Sequence, residues 1–365
     1  MKKPRVMVDC RMVLSAGVGT YIRHLLPLLA QDSPYDFFFL GRREELSAFT
    51  WADPGRIIRF ETPVYSPLEH VVLYRLLQRF SPDLFWSPHY NVPLLGRGLR
   101  LATIHDVFHI SRENQEWGRI KKGYARALLS AAMRRSALVL TDSAFTLEEI
   151  KRYGLPCAEK VRVIPLGVAM PDCPKERGNG SYFLFVGNVK PHKNLRRLVE
   201  AYAIARASGG INLPMKIVGE TDRFFTGERG LPDLARSLGV GQYIEFTGRV
   251  GEKELEALYA GALALVFPSI YEGFGLPPLE AMARGVPVLA SNAASLPEVC
   301  GDAALYFDPT DAKEIAKKMA LIATDGGLRE ALARRGLSRA RMFTWEASAK
   351  KTAKAIAEAF YESAI

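Results

Sequence analysis

What most constrains this chain is a rhythm. Short runs rich in β-branched and aromatic residues alternate with longer helical patterns, and the sequence does this twice. In the first half the strand-like runs fall at 5–9, 36–40, 57–60, 84–86, 101–105, 137–141 and 161–164. Helical patterns at 20–30, 67–80, 117–135 and 144–153 lie between them. Strands separated by helix-length segments do not pair as hairpins; they predict βαβ units and a parallel sheet covered on both faces. At 166–181, LGVAMPDCPKERGNGS, the rhythm breaks into linker chemistry. It then restarts, with strands expected at 182–186, 215–218, 244–246, 264–267 and 286–290, and helices at 194–207, 232–238, 252–260 and 278–284. A last helical pattern at 345–361 has no strand after it. The fold class that follows is α/β, with one Rossmann-like domain over 1–170, a second over 171–344, and a closing helix in 345–365.

Charge is uneven across this division. The net charge is +10, and residues 1–170 hold 24 Lys and Arg against 16 Asp and Glu, whereas the remainder holds 25 against 23. A basic half predicts an anionic partner: a membrane surface, nucleic acid or a phosphorylated substrate. There is no helix-turn-helix, zinc-ligand spacing or RNP-like aromatic motif, so nucleic acid is not expected. No run of about 18 apolar residues occurs, and the start MKKPRVMVDC is too short in apolar residues for a signal peptide; a cytoplasmic protein is expected. Cys10, Cys157, Cys173 and Cys300 are scattered without a CxxC pair and read as inert thiols.

The chemical signal is concentrated in the second half. In EGFGLPPLEAMARGVPVLAS, residues 272–291, Gly273 and Gly275 flank Phe274, so the backbone can turn tightly and approach a ligand closely. Pro277 and Pro278 suit the start of a helix and Gly285 its end. The helix's open N–H groups then form an anion site. Glu272 precedes the loop, and Glu280 is expected in the first helical turn. Two carboxylates around an anion site suit a sugar joined to a phosphate: the acids accept from hydroxyls and the helix end takes the phosphate. In FVGNVKPHKNLRRLVEAY, residues 185–202, a strand ends, Gly187 turns, and Lys193 stands before a helix expected to be N-capped by Asn194. A lysine beside a helix start at a strand's carboxyl end also suits a phosphate. Lys190 and His192 read as a solvated basic loop.

In the first half, GVGTYI places Gly17 and Gly19 at a turn into a helix but lacks the third glycine of a dinucleotide fingerprint, and no acid follows the second strand, so NAD is not expected. His105 and Asp106 are expected at the end of the fifth strand, where ligands gather in parallel sheets; a histidine there can bond a sugar hydroxyl or meet a developing charge. His24, His70, His89 and His109 have no metal-ligand spacing.

With these residues in place, the chain resembles glycosyltransferase family 4, of the GT-B fold, over nearly its whole length. The most specific element is E-x7-E, present as Glu272 and Glu280; GVG, IHD at 104–106, PLGV at 165–168, PHKNL at 191–195, TGRV at 247–250 and SLPEVCGDAALYFDP at 295–309 support it. The branch it resembles is bacterial and mannosyltransferase-like, building O-antigen and exopolysaccharide. The resemblance implies two Rossmann-like domains facing across a cleft, a closing helix that crosses back to the first domain, and transfer of a hexose from a nucleotide diphosphate sugar to a saccharide or lipid-linked acceptor. Mannose from GDP-mannose is the favoured donor.

Roles follow by position. Glu280 would bond the donor's ribose, and Glu272 and His105 would face the transferred sugar. Lys193 would pair with the diphosphate, aided by the N–H groups of Phe274, Gly275 and Leu276. Gly17 and Gly19 would line the cleft near the donor phosphate or the acceptor, and Arg249 and Val250 would lie against the base. Many relatives carry an arginine after the glycine matching Gly187. Here that residue is Asn188, so either Lys190 or Arg249 substitutes or the diphosphate is held less tightly.

The implied transfer retains configuration. A double displacement would need a carboxylate nucleophile under the sugar; the resemblance favours same-face attack instead, and the sequence leaves both open. No Asp-x-Asp is present, and no His/Asp/Glu cluster has convincing metal-ligand spacing, so no metal or other cofactor is expected. Across residues 112–135, Arg112, Arg119, Lys121, Lys122, Arg126, Arg134 and Arg135 outnumber Glu113 and Glu116, and Trp117, Ile120, Tyr124, Leu128 and Ala131 recur at helical spacing. This predicts either peripheral attachment to an anionic membrane surface or an ordinary core-facing stripe. Two other functions fit parts of the pattern: a GT-B sugar-nucleotide epimerase and a non-catalytic nucleotide-binding protein.

Overall fold

Parallel strands are buried on both faces, and the sequence supplies continuous apolar runs for them. The computed structural model describes residues 3–171, 180–220 and 230–362; the linker segment 172–179, with Cys173, lies outside the described residues. By contacts the chain divides into two units, Met1–Gly167 with Trp345–Ile365, and Val168–Thr344.

In the first unit the order is β1 (Arg5–Asp9), α1 (Val18–Ala30), β2 (Asp36–Gly41), α2 (Arg43–Leu46), β3 (Ile57–Arg59), α3 (Pro67–Phe80), β4 (Leu84–Ser87), β5 (Leu99–Thr103), α4 (Arg119–Arg135), β6 (Leu138–Thr141), α5 (Ala144–Arg152) and β7 (Val161–Val163). These strands form one parallel sheet in the order β3-β2-β1-β4-β5-β6-β7. The order reverses between β1 and β4. Val6, Met7 and Val8 of β1 are buried, and the β4 indole of Trp86 donates to Thr103 Oγ1 at 3.2 Å. Helix α3 starts where Ser66 accepts from Leu68 N–H and Pro67 takes the first helical position.

The second unit runs β8 (Tyr182–Val186), α6 (Leu195–Ala207), β9 (Met215–Val218), α7 (Leu231–Ser237), β10 (Ile244–Gly248), α8 (Glu252–Gly261), β11 (Ala262–Phe267), α9 (Leu276–Ala283), β12 (Val288–Ser291), α10 (Leu296–Cys300), β13 (Ala304–Phe307), α11 (Ala312–Thr324) and α12 (Gly326–Ala340). Its parallel sheet has the order β10-β9-β8-β11-β12-β13, reversing between β8 and β11. Every residue of β11 is buried. Helices α11 and α12 open on Asp311 and Asp325, each accepting backbone N–H groups. Helix α13 (Trp345–Glu362) then joins the first unit. Its Trp345 stacks on His24 of α1 at 5.0 Å, Ser348 Oγ donates to Pro165 O, and Arg162 pairs with Glu358 at 2.5 Å.

Three expectations need correction. Strand β5 ends at Thr103, so His105 and Asp106 follow the strand rather than ending it. The sequence pattern places no element over 292–344, yet the stretch holds β13 and helices α10, α11 and α12; the strand ALYF is too short for its period to be distinguished from a helical turn. The stripe expected along 117–131 is split. Leu128 packs inward with Ala125, Leu129, Ala132 and Met133, Trp117 precedes the helix and stacks on His109, and Ile120 stands 90% exposed.

Candidate active site

In an open parallel sheet, the crevice beyond the strand ends at the point of reversal is where loops part and ligands bind. In the second unit that point lies between β8 and β11. Leaving β8, the backbone passes Gly187 at φ 152°, and a Cβ on neighbouring Gly219 would come within 1.9 Å of the Gly187 carbonyl oxygen. The strand ends can approach this closely only because residue 219 has no side chain, while the positive φ at 187 favours glycine there. A single helical turn, Pro191–Lys193, follows and delivers Lys193. Asn194 stands before α6 but does not cap it with its side chain: its backbone is left-handed at φ 60°, and its amide donates to Pro268 O at 3.2 Å and Pro309 O at 2.7 Å. The residue ties the β8 loop to the segment after β11. The Ile270 N–H, donating to His192 O at 2.9 Å, makes a second tie.

Beyond β11 the chain runs through Glu272 and Phe274 to Gly275, whose φ of 105° turns it into α9; a Cβ there would meet Leu296 Cδ2 at 2.7 Å. The helix starts at Leu276, two residues earlier than expected, because both prolines fit within its first turn. Glu280 therefore lies past the first turn, and its proximity to the dipole no longer explains it. Proline lacks an N–H, so the helix's open donors reduce to Gly275 and Leu276, with Phe274 just before. Buried Ser295 braces this loop. Its hydroxyl lies 3.0 Å from Glu272 O and 2.8 Å from Phe274 O, donating to one at a time.

The two loops bring Lys193 and Glu272 together: Nζ lies 2.5 Å from Oε1, with the side chains 14% and 12% exposed. Glu280 is held separately. Tyr259 of α8 donates its hydroxyl to Oε2 at 2.8 Å, and Arg284 Nη1 donates to the Glu280 carbonyl at 2.8 Å. Arg284 also pairs with Glu256. Burial pushes the Glu280 carboxyl above its usual range, with Tyr259 and Arg284 opposing. Asn188 follows Gly187 directly, whereas Arg249, exposed, and Val250 follow β10, two strands away across the sheet.

In the first unit Gly17 is exposed at φ 61° before α1, with open space where its Cβ would be. Gly19 is buried, and a Cβ there would meet Val13 O at 2.6 Å, so its smallness serves packing of α1 against the loop 12–13. His105 has both ring nitrogens engaged: Nδ1 lies 2.6 Å from Asp142 Oδ2 and Nε2 2.9 Å from Pro88 O. A carbonyl only accepts, so Nε2 carries a proton, and Nδ1 shares a second one with Asp142. Burial works against a charged ring, but Asp142 and the Pro88 carbonyl outweigh it and hold the imidazole above the usual histidine range. Both ring nitrogens of His105 are therefore occupied within the first unit. Asp106 accepts from the Phe108 N–H at 2.9 Å and is not its partner.

Sequence reasoning missed a buried cluster where β1 and β4 part. Arg11 pairs with Asp9 at 2.5 Å and with Glu69 at 2.9 Å, and donates to Thr62 O at 2.7 Å. His89 Nδ1 accepts from the Asn91 N–H, so its Nε2 donates to Asp9, 3.2 Å away. Arg11 and His89 overcome burial and hold Asp9 well below the usual carboxylate range, whereas burial pushes Glu69 up to about 7 despite Arg11. Asp9 ending the first strand, with Arg11 two residues beyond it, was the available signal.

Residues 15–170 match the family described as Glycosyltransferase Family 4, and residues 172–339 match Glycosyl transferases group 1. The chain is 32% identical over 299 residues to O-antigen chain mannosyltransferase B of Escherichia coli, covering 76% of this chain and 75% of that one. The chain belongs to glycosyltransferase family 4. Among solved structures, this glycosyltransferase is similar to sucrose-phosphate synthase from Thermosynechococcus elongatus, with TM-score 0.79 and 21% identity over 99% of this chain and 100% of that one. It is similar too to Anabaena HepE in complex with UDP-glucose, with TM-score 0.78 and 16% identity over 97% and 99%. The fold is GT-B, built from two Rossmann-like domains.

Proposed function

We propose that this glycosyltransferase moves mannose from GDP-mannose, with retention of configuration, to a saccharide or lipid-linked acceptor in surface polysaccharide synthesis. The observation that carries the reading is the meeting of Lys193 and Glu272, 2.5 Å apart, beside the start of α9. A diphosphate would take Lys193 and the N–H groups of Phe274, Gly275 and Leu276. That exchange would release Glu272 toward the sugar. Glu280 would meet the ribose, Arg249 and Val250 the base, and Gly187 and Asn188 would let the phosphates approach the end of β8. In the first unit, His105 would face the transferred sugar and Gly17 would leave an open backbone beside the acceptor or donor phosphate. The name of the Escherichia coli relative supports mannose and O-antigen, and HepE's complex with UDP-glucose supports a nucleotide sugar.

The leaving diphosphate must be neutralised as it departs. A full lysine charge and roughly half a charge at a helix start can do this without a divalent ion. The test is transfer from GDP-mannose in excess EDTA, preceded by thermal shift with GDP, UDP and ADP. A nucleotide at about 100 times its dissociation constant should add roughly 2.7 kcal/mol. Stabilisation by UDP alone would overturn the donor, and activity lost in EDTA but restored by magnesium would falsify the metal-free mechanism.

Attachment to the inner face of the cytoplasmic membrane belongs to the same reading. No helix of the described residues is long and apolar enough to cross a membrane. The start of α4 presents Ile120, 90% exposed, between exposed Arg119 and Lys121. Such a basic, apolar-tipped helix end fits an anionic lipid surface. Flotation with anionic but not neutral vesicles is expected; equal binding to both, or to neither, sinks it.

A further inference from the structure

The geometry points to Tyr259 as the positioning residue for the ribose: its hydroxyl fixes one oxygen of Glu280 so that the other is presented to the nucleotide's vicinal hydroxyls. This rests on the proposed nucleotide-sugar site and deepens it by naming what orients that carboxylate. Glutamate has three side-chain torsions and, unheld, would spread its carboxylate over many positions. Here Tyr259 donates to Oε2 at 2.8 Å, and among the described residues it is Glu280's side-chain hydrogen-bond partner, leaving Oε1 without one. Tyr259 is itself immobile. Its side chain is fully buried, and the Arg284 guanidinium lies 4.9 Å from its ring centroid.

Arg284 is fixed in turn by Glu256, through Nε to Oε2 at 2.9 Å, and by the Glu280 carbonyl at 2.8 Å. Glu256 and Tyr259 share one face of α8, and Arg284 caps α9 four residues after Glu280. Two crossed pairs, Glu256–Arg284 and Tyr259–Glu280, therefore bind the helices to each other. They set where the carboxylate stands relative to the start of α9. A carboxylate held this way can accept from a 2′-hydroxyl, and its free oxygen is left poorly satisfied when that hydroxyl is missing. Tyr259 thus sets the discrimination between ribose and 2′-deoxyribose.

Isothermal titration of GDP, UDP and ADP, and of their 2′-deoxy forms, tests this on wild type, Tyr259→Phe, Tyr259→His and Glu280→Gln. With the tightest-binding nucleotide, wild type should prefer the ribose form by about tenfold or more. Tyr259→Phe should bring that ratio down to about two, chiefly by weakening the ribose form. Tyr259→His, which keeps a ring donor, should restore part of the preference relative to Tyr259→Phe even where its melting temperature falls. A full wild-type ratio in Tyr259→Phe while Glu280→Gln loses it overturns the positioning role alone. A full ratio in Glu280→Gln removes the carboxylate from the ribose, and the assignment falls with it. Binding of none of the three nucleotides overturns the site itself.

Discussion

Each unit reverses its sheet order next to its own first strand, and each places a cation against carboxylates there. Between β1 and β4, Arg11 lies between Asp9 and Glu69; between β8 and β11, Lys193 meets Glu272. The first cluster is closed: the side chains of Asp9 and Arg11 are 0% and 4% exposed, and all three guanidinium nitrogens are engaged. The second pair is partly open and rests on one contact. The topology and the charges are shared, so neither decides the role. Satisfaction does: a saturated buried network holds backbone segments in place, whereas a half-open pair keeps a charge that a ligand can take over.

Substitutions can break this comparison. Lys193→Ala should lower turnover roughly a hundred- to a thousandfold with little change in melting temperature, because it removes charge stabilisation of the leaving group. Steady-state kinetics beside calorimetry checks it; a comparable loss of stability with normal turnover would move Lys193 into the scaffold. Arg11→Ala should do the reverse. It leaves Asp9 and Glu69 buried without their counter-charge and should cost about 3–5 kcal/mol in denaturant unfolding, while the folded fraction keeps near-normal turnover. A stable Arg11→Ala enzyme with collapsed turnover would make the first reversal point chemical.

Smaller effects sharpen the contrast. Glu272→Gln should lower turnover far more than donor affinity, and because Lys193 loses its partner it should bind nucleoside diphosphate roughly two- to fivefold more tightly. Weaker diphosphate binding by titration would show that the pair organises the site rather than competing with the ligand. The smallest effect is a pH slope. Glu69 titrates near 7 when folded against its ordinary 4.5. The folded state thus holds the proton more firmly, so this group's contribution is complete below its ordinary value and is lost as pH rises through about 7. Relative to Glu69→Gln, wild type should lose stability between those values and change little beyond them. Parallel melting curves for the two proteins across that window would remove Glu69 from the titration.

Much of the second site was readable because it is local. Glycine and proline act on their own backbone, so the turn at Gly275, the start of α9 and the approach at Gly187 could be inferred from spacing in the chain. The error at α9 was two residues in its start, enough to move Glu280 out of the first turn. Asn194 misled because an N-cap is only one use of an amide; here the acceptors are carbonyls of Pro268 and Pro309, far along the chain. For His105 the partner could not be read from its neighbours, since Asp142 arrives from the end of β6.

Alone, the sequence determined the α/β class, the two sheets, the closing helix and the pairing of glycine-rich turns with acids and a lysine, because strand and helix periods and turn chemistry are properties of neighbouring residues. Only the tertiary structure decided which charges are spent and which are available. Arg11 meets Glu69 across 58 positions and Tyr259 meets Glu280 across 21. Whether such groups saturate one another depends on which strand ends and helix faces are brought together, and on how much water is left between them. Those are consequences of packing, and no local pattern carries them.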